Sequence, residues 1–200
     1  MAVEKGDLNT VKELLKRNPN YVSAKITVIG QTALHLAVLG GSQKIVEELV
    51  KLMSKEDMEI KTNFGNTAFS LAALNGMVDI AKLMLQKNKD LVTIKNDCHG
   101  QIPLVMASLY GHQEMIRYLS RYTPIDFLAP RTNDKNGATH LNSLITHEMY
   151  DEALNLLEWY PQLGYAEDLH QNSAIKLLAN QPSAFLSGSK LGFWKQWIYS

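Results

Sequence analysis

The chain has 200 residues, of which 46% are hydrophobic and 20% charged, enough for a real hydrophobic core and unlike a disordered chain. Lys plus Arg number 20 and Asp plus Glu number 20, giving zero formal charge; the basic field that holds proteins on phosphate backbones is missing, and nucleic acid drops out as the expected partner. The single cysteine, Cys98, can form neither an internal disulfide nor a multi-cysteine zinc site, and it suits a reducing intracellular compartment. Met1-Ala2-Val3-Glu4-Lys5-Gly6-Asp7 carries charges where a signal peptide needs an apolar run, and the apolar stretch 102–111 is too short to span a bilayer. The chain as given reads as soluble.

A fixed period organises the sequence. Gly30-Gln31-Thr32-Ala33-Leu34-His35-Leu36-Ala37 recurs as Gly65-Asn66-Thr67-Ala68-Phe69-Ser70-Leu71-Ala72 and as Gly100-Gln101-Ile102-Pro103-Leu104-Val105-Met106-Ala107, a step of 35 residues both times. Gly41, Gly76 and Gly111 keep the register, as do Ile45, Ile80 and Met115, then Leu49, Met84 and Leu119. Shifting back by 35 places Ala2, Gly6, Val11 and Leu14 in a first, incomplete copy. Past the fourth copy the step stretches to 38, giving a degenerate fifth copy from Asn136-Gly137-Ala138-Thr139 to Ala153–Leu157, and a sixth start at Asn172-Ser173-Ala174 reads as one helix cut off by Pro182.

Each unit predicts two antiparallel helices. Apolar residues at Leu34, Ala37 and Val38, then at Ile45, Val46, Leu49 and Val50, lie on either side of a glycine corner. Thr32 and Thr67 sit where N-caps belong, and Pro103 fits a first helical turn. Segments such as Lys95-Asn96-Asp97-Cys98-His99-Gly100 have hairpin chemistry. The expected fold is an all-α solenoid of stacked helix-turn-helix units with short hairpin fingers. It would span residues 1–180 in about five to six repeats, followed by an aromatic tail or linker at 181–200.

The opening Gly-x-Thr-Ala-Leu-His-x-Ala, the mid-repeat glycine and Ile-Val-x-x-Leu resemble the ankyrin-repeat signature over roughly residues 1–180, most fully in the second repeat. Asn-x-Thr-Ala with Leu-Ala-Ala-Leu-Asn-Gly, Pro182-Ser183-Ala184-Phe185 and Leu191-Gly192-Phe193-Trp194 are similar to the plant ankyrin-repeat membrane proteins. In that family the array precedes a transmembrane domain bearing a Pro-Gly-Gly motif, which is absent from these 200 residues. The half repeat at the N-terminus favours a fragment over a soluble relative. The resemblance implies an intracellular binding module at the cytoplasmic face of a membrane such as the plasma membrane, in stress or defence signalling.

Candidate chemistry is sparse, and neither a cofactor nor a metal site is expected. His35 occupies the column of Ser70, Val105 and Lys176; a catalytic base missing from most copies would be odd, and a tie between hairpin and helix start explains it better. His147-Glu148-Met149-Tyr150-Asp151 resembles a zincin helix, but Asp151 stands where the second histidine belongs, and a surface helix is the better account. Cys98-His99 invites a thiol catalyst, yet catalytic partners usually converge from distant segments. Gly188-Ser189-Lys190-Leu191-Gly192 matches neither a nucleophile elbow nor a phosphate loop and reads as a linker. Glu47, Glu48, Glu56 and Asp57 read as solvated charge.

Function is therefore expected on the surface the scaffold does not need, the concave side formed by finger tips and the ends of first helices. Those columns are Val28, Ile29, Gln31, Leu39 and Gly40 in repeat two; Asn63, Phe64, Asn66, Leu74 and Asn75 in repeat three; and Cys98, His99, Gln101, Leu109 and Tyr110 in repeat four. In repeat five they are Lys135, Asn136, Ala138, His147 and Glu148. Val28, Ile29, Leu39, Phe64, Leu74, Leu109 and Tyr110 form an apolar stripe suited to a protein partner, although the three leucines share a column that could equally be core. The tail's Phe185, Phe193, Trp194, Trp197, Ile198 and Tyr199 would cap the last repeat, meet missing sequence or lie at a membrane interface. The competing readings are a soluble scaffold or spacer and a hydrolase built on Cys98, His99 or His147.

Overall fold

The computed structural model of the chain describes residue 3 and residues 6–131 and 134–180. In chain order its helices are α1 (Leu8–Arg17), α2 (Ala33–Leu39), α3 (Gln43–Leu52), α4 (Lys55–Met58), α5 (Ala68–Leu74), α6 (Val78–Lys87), α7 (Pro103–Leu109), α8 (Gln113–Ser120), α9 (Asn136–Thr146), α10 (Tyr150–Trp159) and α11 (Ala174–Ala179). No strand forms among the described residues; of three isolated antiparallel bridges, Lys25 with Thr32 and Lys61 with Thr67 close fingers, while Arg131 with Asp134 lies in the loop before α9.

Two helical layers run the length of the stack. The inner layer places α2 on α5, α5 on α7, α7 on α9 and α9 on α11, while α1, α3, α6 and α8 follow one another in the outer layer. The sequence builds this division directly. In α3 only Ile45, Val46, Leu49 and Val50 are buried, one stripe of an amphipathic helix. In α7 every residue from Pro103 to Ser108 is buried, because that helix has neighbours on both sides as well as α8 behind it. Ala37, Ala72 and Ala107 occupy one column with no exposed surface, and their small side chains allow the inner helices to approach closely. Leu49, Met84 and Leu119 are fully buried, whereas Leu14 in the same column is 43% exposed. Beyond α1 no further helix pair among the described residues covers that side, leaving an apolar hollow of about 260 Å³ lined by Leu14, Leu15, Tyr21 and Ile26.

Helix ends follow their chemistry. Thr67 Oγ1 accepts from the Ser70 N–H at 3.0 Å, Ser173 caps α11, and Pro103 opens α7. The corners use Gly41, Gly76 and Gly111 at φ of 64°, 68° and 70°, a left-handed conformation costly for other residues. At Gly76 and Gly111 a Cβ would also lie 2.7 Å from the His112 ring and 2.6 Å from the His147 ring.

The fifth unit departs from expectation. Its first helix, α9, begins at Asn136, so Asn136-Gly137-Ala138 form a helical turn where the other units have a finger tip and return arm. Gly137 is accordingly not among the positive-φ glycines, and a Cβ on it would sit 2.0 Å from Leu128 O. The finger-tip roles expected for Asn136 and Ala138 are thus corrected, both being buried. Asn136 instead ties repeat four to α9: its Nδ2 donates to Gly100 O at 2.9 Å and its Oδ1 accepts from Ile102 N–H at 3.2 Å. His147 and Glu148 do not lie on a surface helix. They make the corner between α9 and α10, with Glu148 at φ 59° in the left-handed position that glycine fills elsewhere. From Gly111 to Glu148 the step is 37 residues, not 38. Pro182, the linker at 188–192 and the aromatic tail lie outside the described residues.

Candidate functional site

One polar side chain closes each finger by accepting from the returning backbone. Thr27 Oγ1 takes the Gln31 N–H at 3.0 Å and Thr62 Oγ1 the Asn66 N–H at 3.3 Å. Asn96 Oδ1 takes the N–H groups of His99 and Gln101 at 3.1 and 3.0 Å, and Asp168 Oδ1 those of His170 and Asn172 at 2.8 and 2.9 Å. This is the local turn chemistry in which Asn, Asp and Thr excel. Successive fingers are then joined. Asn63 donates its N–H to Ile29 O at 2.9 Å and its Nδ2 to Val28 O at 3.0 Å; the Cys98 thiol donates to Phe64 O at 3.2 Å. Lys61 pairs with Asp97 and Lys95 with Asp134 across the same gaps.

His35 is the tie expected from its position. Its Nδ1 accepts the Thr32 N–H at 3.2 Å and lies 2.8 Å from Thr32 Oγ1, while Nε2 donates to Asn66 O at 3.1 Å in the next unit. These bonds need a neutral ring protonated at Nε2. Burial pushes its pKa below the ordinary value, opposed by the bond to Asn66. In the fifth unit Asn142 takes over this task, donating to Asn172 O at 2.9 Å and to Asp168 Oδ2 at 2.8 Å. The sequence column omitted Asn142 because the fifth repeat could not be placed to the residue.

On the concave side Val28 is 97% exposed, Phe64 57%, Tyr110 60% and Leu39 44%. Ile29 is exposed as well, while Leu74 and Leu109 are half-buried rather than core. The polar positions are more engaged: Gln31 Oε1 accepts from the Thr27 hydroxyl at 3.3 Å and Asn75 Nδ2 donates to Leu71 O at 2.8 Å, while the Asn63 amide and Cys98 thiol are committed to neighbouring fingers. Tyr110 stacks on His112 with ring centroids 6.4 Å apart, and His112 Nε2 donates to Leu74 O at 2.8 Å.

Seven of the expected residues converge. Asn66, Leu74, Cys98, His99, Gln101, Leu109 and Tyr110 line one hollow of about 490 Å³, with Asn96 and Met106 beneath them. Its far wall, Leu169 and His170 of the Asp168–Asn172 turn, escaped the sequence reading. The only signal was Asp168, placed to close a turn before the Ser173 cap, in a repeat too degenerate to align. Val28, Ile29, Gln31, Leu39, Asn63, Phe64 and Asn75 lie outside this hollow.

The described residues contain no group of three or more His, Cys, Asp or Glu able to hold a metal ion. His140, buried beside Ser108 with Nδ1 2.6 Å from its Oγ, and His147, packed on Gly111, serve packing. Glu48 receives Lys12 and Lys51, and Asp57 helps cap α4. No helix of the described residues is long and apolar enough to cross a membrane.

Comparison with known proteins gives a consistent result. Residues 1–95 and 47–129 match the family described as ankyrin repeats (3 copies). The chain is 29% identical over 118 residues to the Target of rapamycin complex 2 subunit AVO2 of Saccharomyces cerevisiae, covering 59% of this chain and 28% of that protein. It is 30% identical over 147 residues to the Probable 26S proteasome regulatory subunit p28 of the same yeast, covering 74% and 61%. With the ANK repeat-containing protein nipk-1 of Caenorhabditis elegans it shares 24% identity over 185 residues, covering 86% and 30%. The chain thus spans less than two thirds of each of these relatives.

Proposed function

Because the chain belongs to the ankyrin-repeat family, a protein-protein interaction module, we propose that it recognises a protein partner through the concave face and finger tips and catalyses no reaction. The observation carrying this reading is the exposure of Val28, Phe64 and Tyr110 at positions where the scaffold would accept polar residues. Large apolar and aromatic side chains left on a rigid concave surface are the anchors that interfaces use. The yeast relatives are named as subunits of larger assemblies, which agrees with a recognition role. Its setting is intracellular, at the cytoplasmic face of a membrane in stress or defence signalling, a part supported by the resemblance of Asn-x-Thr-Ala and Leu-Ala-Ala-Leu-Asn-Gly to the plant ankyrin-repeat membrane proteins.

The test is quantitative affinity capture with the parent and with Phe64→Ala plus Tyr110→Ala. Partners enriched on the parent should fall at least about tenfold on the double variant, corresponding to about 1.4 kcal/mol or more. Equal recovery of every partner ends the proposal. Stoichiometric bound zinc, or abnormally fast alkylation of Cys98, would instead favour the Cys/His chemistry.

A further inference from the structure

The row of fingers is interrupted at the fifth unit, and the interruption leaves specific groups without the partners their equivalents have. Ile29 O accepts the Asn63 N–H from the next finger, and Phe64 O, one step on, accepts the Cys98 thiol. His99 O holds the same place in finger four, and among the described residues it accepts no bond, because the fifth finger's return arm has become the first turn of α9. Below that edge lies the hollow of about 490 Å³. Its floor and walls are largely apolar, with Leu74, Met106, Leu109 and Leu169 around the Tyr110 ring. Asn66, also in its lining, has an amide oxygen enclosed without a hydrogen-bond partner.

We infer that an extended peptide segment of the partner takes the place of the missing fifth finger, with its backbone paired to finger four at His99 O and one large apolar side chain seated between Leu109 and Leu169. The occupant is a peptide because the open place continues a stack in which a main-chain carbonyl of one finger accepts a bond from the next, Ile29 O from the Asn63 N–H and Phe64 O from the Cys98 thiol. An added extended segment satisfies the same groups, with side-chain pockets giving specificity. The hollow's volume lies within the range of sites that enclose a ligand, roughly 300–1,000 Å³. The inference rests on the concave-face reading and narrows it to one place.

The probe is a pool of random peptides about twelve residues long, displayed on phage and selected on the purified 200-residue protein; selected sequences are then titrated as synthetic peptides. The selected set should share one bulky aliphatic or aromatic position. Affinity should fall at least about tenfold in Leu109→Trp, which fills the hollow, and in Leu169→Asp, which makes its exposed wall polar. The second variant decides the matter if the first fails to fold. Leu52→Ala, at an exposed position ending α3 in the outer layer, should leave peptide affinity within about twofold. Peptides insensitive to both hollow variants, a selection that yields no binder, or binding lost equally with Leu52→Ala overturns the inference. Because the whole-partner capture with Phe64 and Tyr110 variants is read separately, the broader reading can survive this failure or fall without it.

Discussion

Acidification should destabilise this fold, and the share carried by His140 can be separated from the rest. His140 stands in the column of Ala33, Ala68 and Pro103, yet it is a buried imidazole. The Ser108 hydroxyl donates to Leu104 O at 2.9 Å, leaving its oxygen to receive the His140 Nδ1–H. Desolvation lowers its pKa from the ordinary 6.5 to about 4, only partly opposed by the charge of Glu152. A group whose folded-state pKa is depressed holds its stabilising contribution above the unfolded value and loses it as pH falls, since the unfolded chain takes up the proton first. Between about pH 7.5 and about pH 4.5 that difference amounts to about 2–3 kcal/mol. The assay is urea denaturation across this range for the parent and for His140→Ala, a residue already present in that column. The variant should be less stable at the upper pH but lose about 2–3 kcal/mol less on acidification. His35, also depressed by burial, contributes in the same direction in both proteins and cancels in the comparison. Parallel pH profiles for parent and variant would refute the argument.

Other perturbations address the scaffold. Replacing His35 with Ala leaves the Thr32 N–H without its buried acceptor and removes one of the two bonds to Asn66 O, which keeps the Thr62 N–H, and should cost about 1–3 kcal/mol, read by chemical denaturation. Gly137→Ala places a methyl group 2.0 Å from Leu128 O and should destabilise by about 1–3 kcal/mol, whereas the unstrained counterpart Glu148→Gly should raise stability by about 0.5–1 kcal/mol by relieving a left-handed residue. Hydrogen exchange should show α5, α7 and α9 protected longest, with α1 and α11 exchanging earlier because, among the described residues, each has inner- or outer-layer neighbours on one side only. Uniform protection along the chain would contradict that order.

The period in the sequence carried most of the architecture. Columns such as Gly41, Gly76 and Gly111, or Ala37, Ala107 and Ala72, state a backbone requirement or a close approach several times over, so each repeat checks the others. The fifth unit offered no such check. Gly137 looked like another repeat-opening glycine, but its spacing could not reveal that it is helical, since glycine is compatible with either state and close packing against Leu128 O decides between them. Likewise the zincin-like spacing around His147 ignored Glu148, a residue that rarely adopts the left-handed corner. For the candidate face, columns located the tips but not the bonding between them: the Asn63 amide and Cys98 thiol looked available and are held by the preceding finger. Leu74 and Leu109 face a hollow whose far wall, Leu169 and His170, belongs to a turn with no clear counterpart in the repeats.

A strictly periodic surface would present a partner with equivalent footholds one unit apart, and binding could slip between them with little change in energy. The helical first turn of α9 removes that degeneracy. Upright fingers lie on one side of it and a lone turn on the other, so a bound chain meets a landmark that exists once, and both its polarity and its alignment along the stack become fixed.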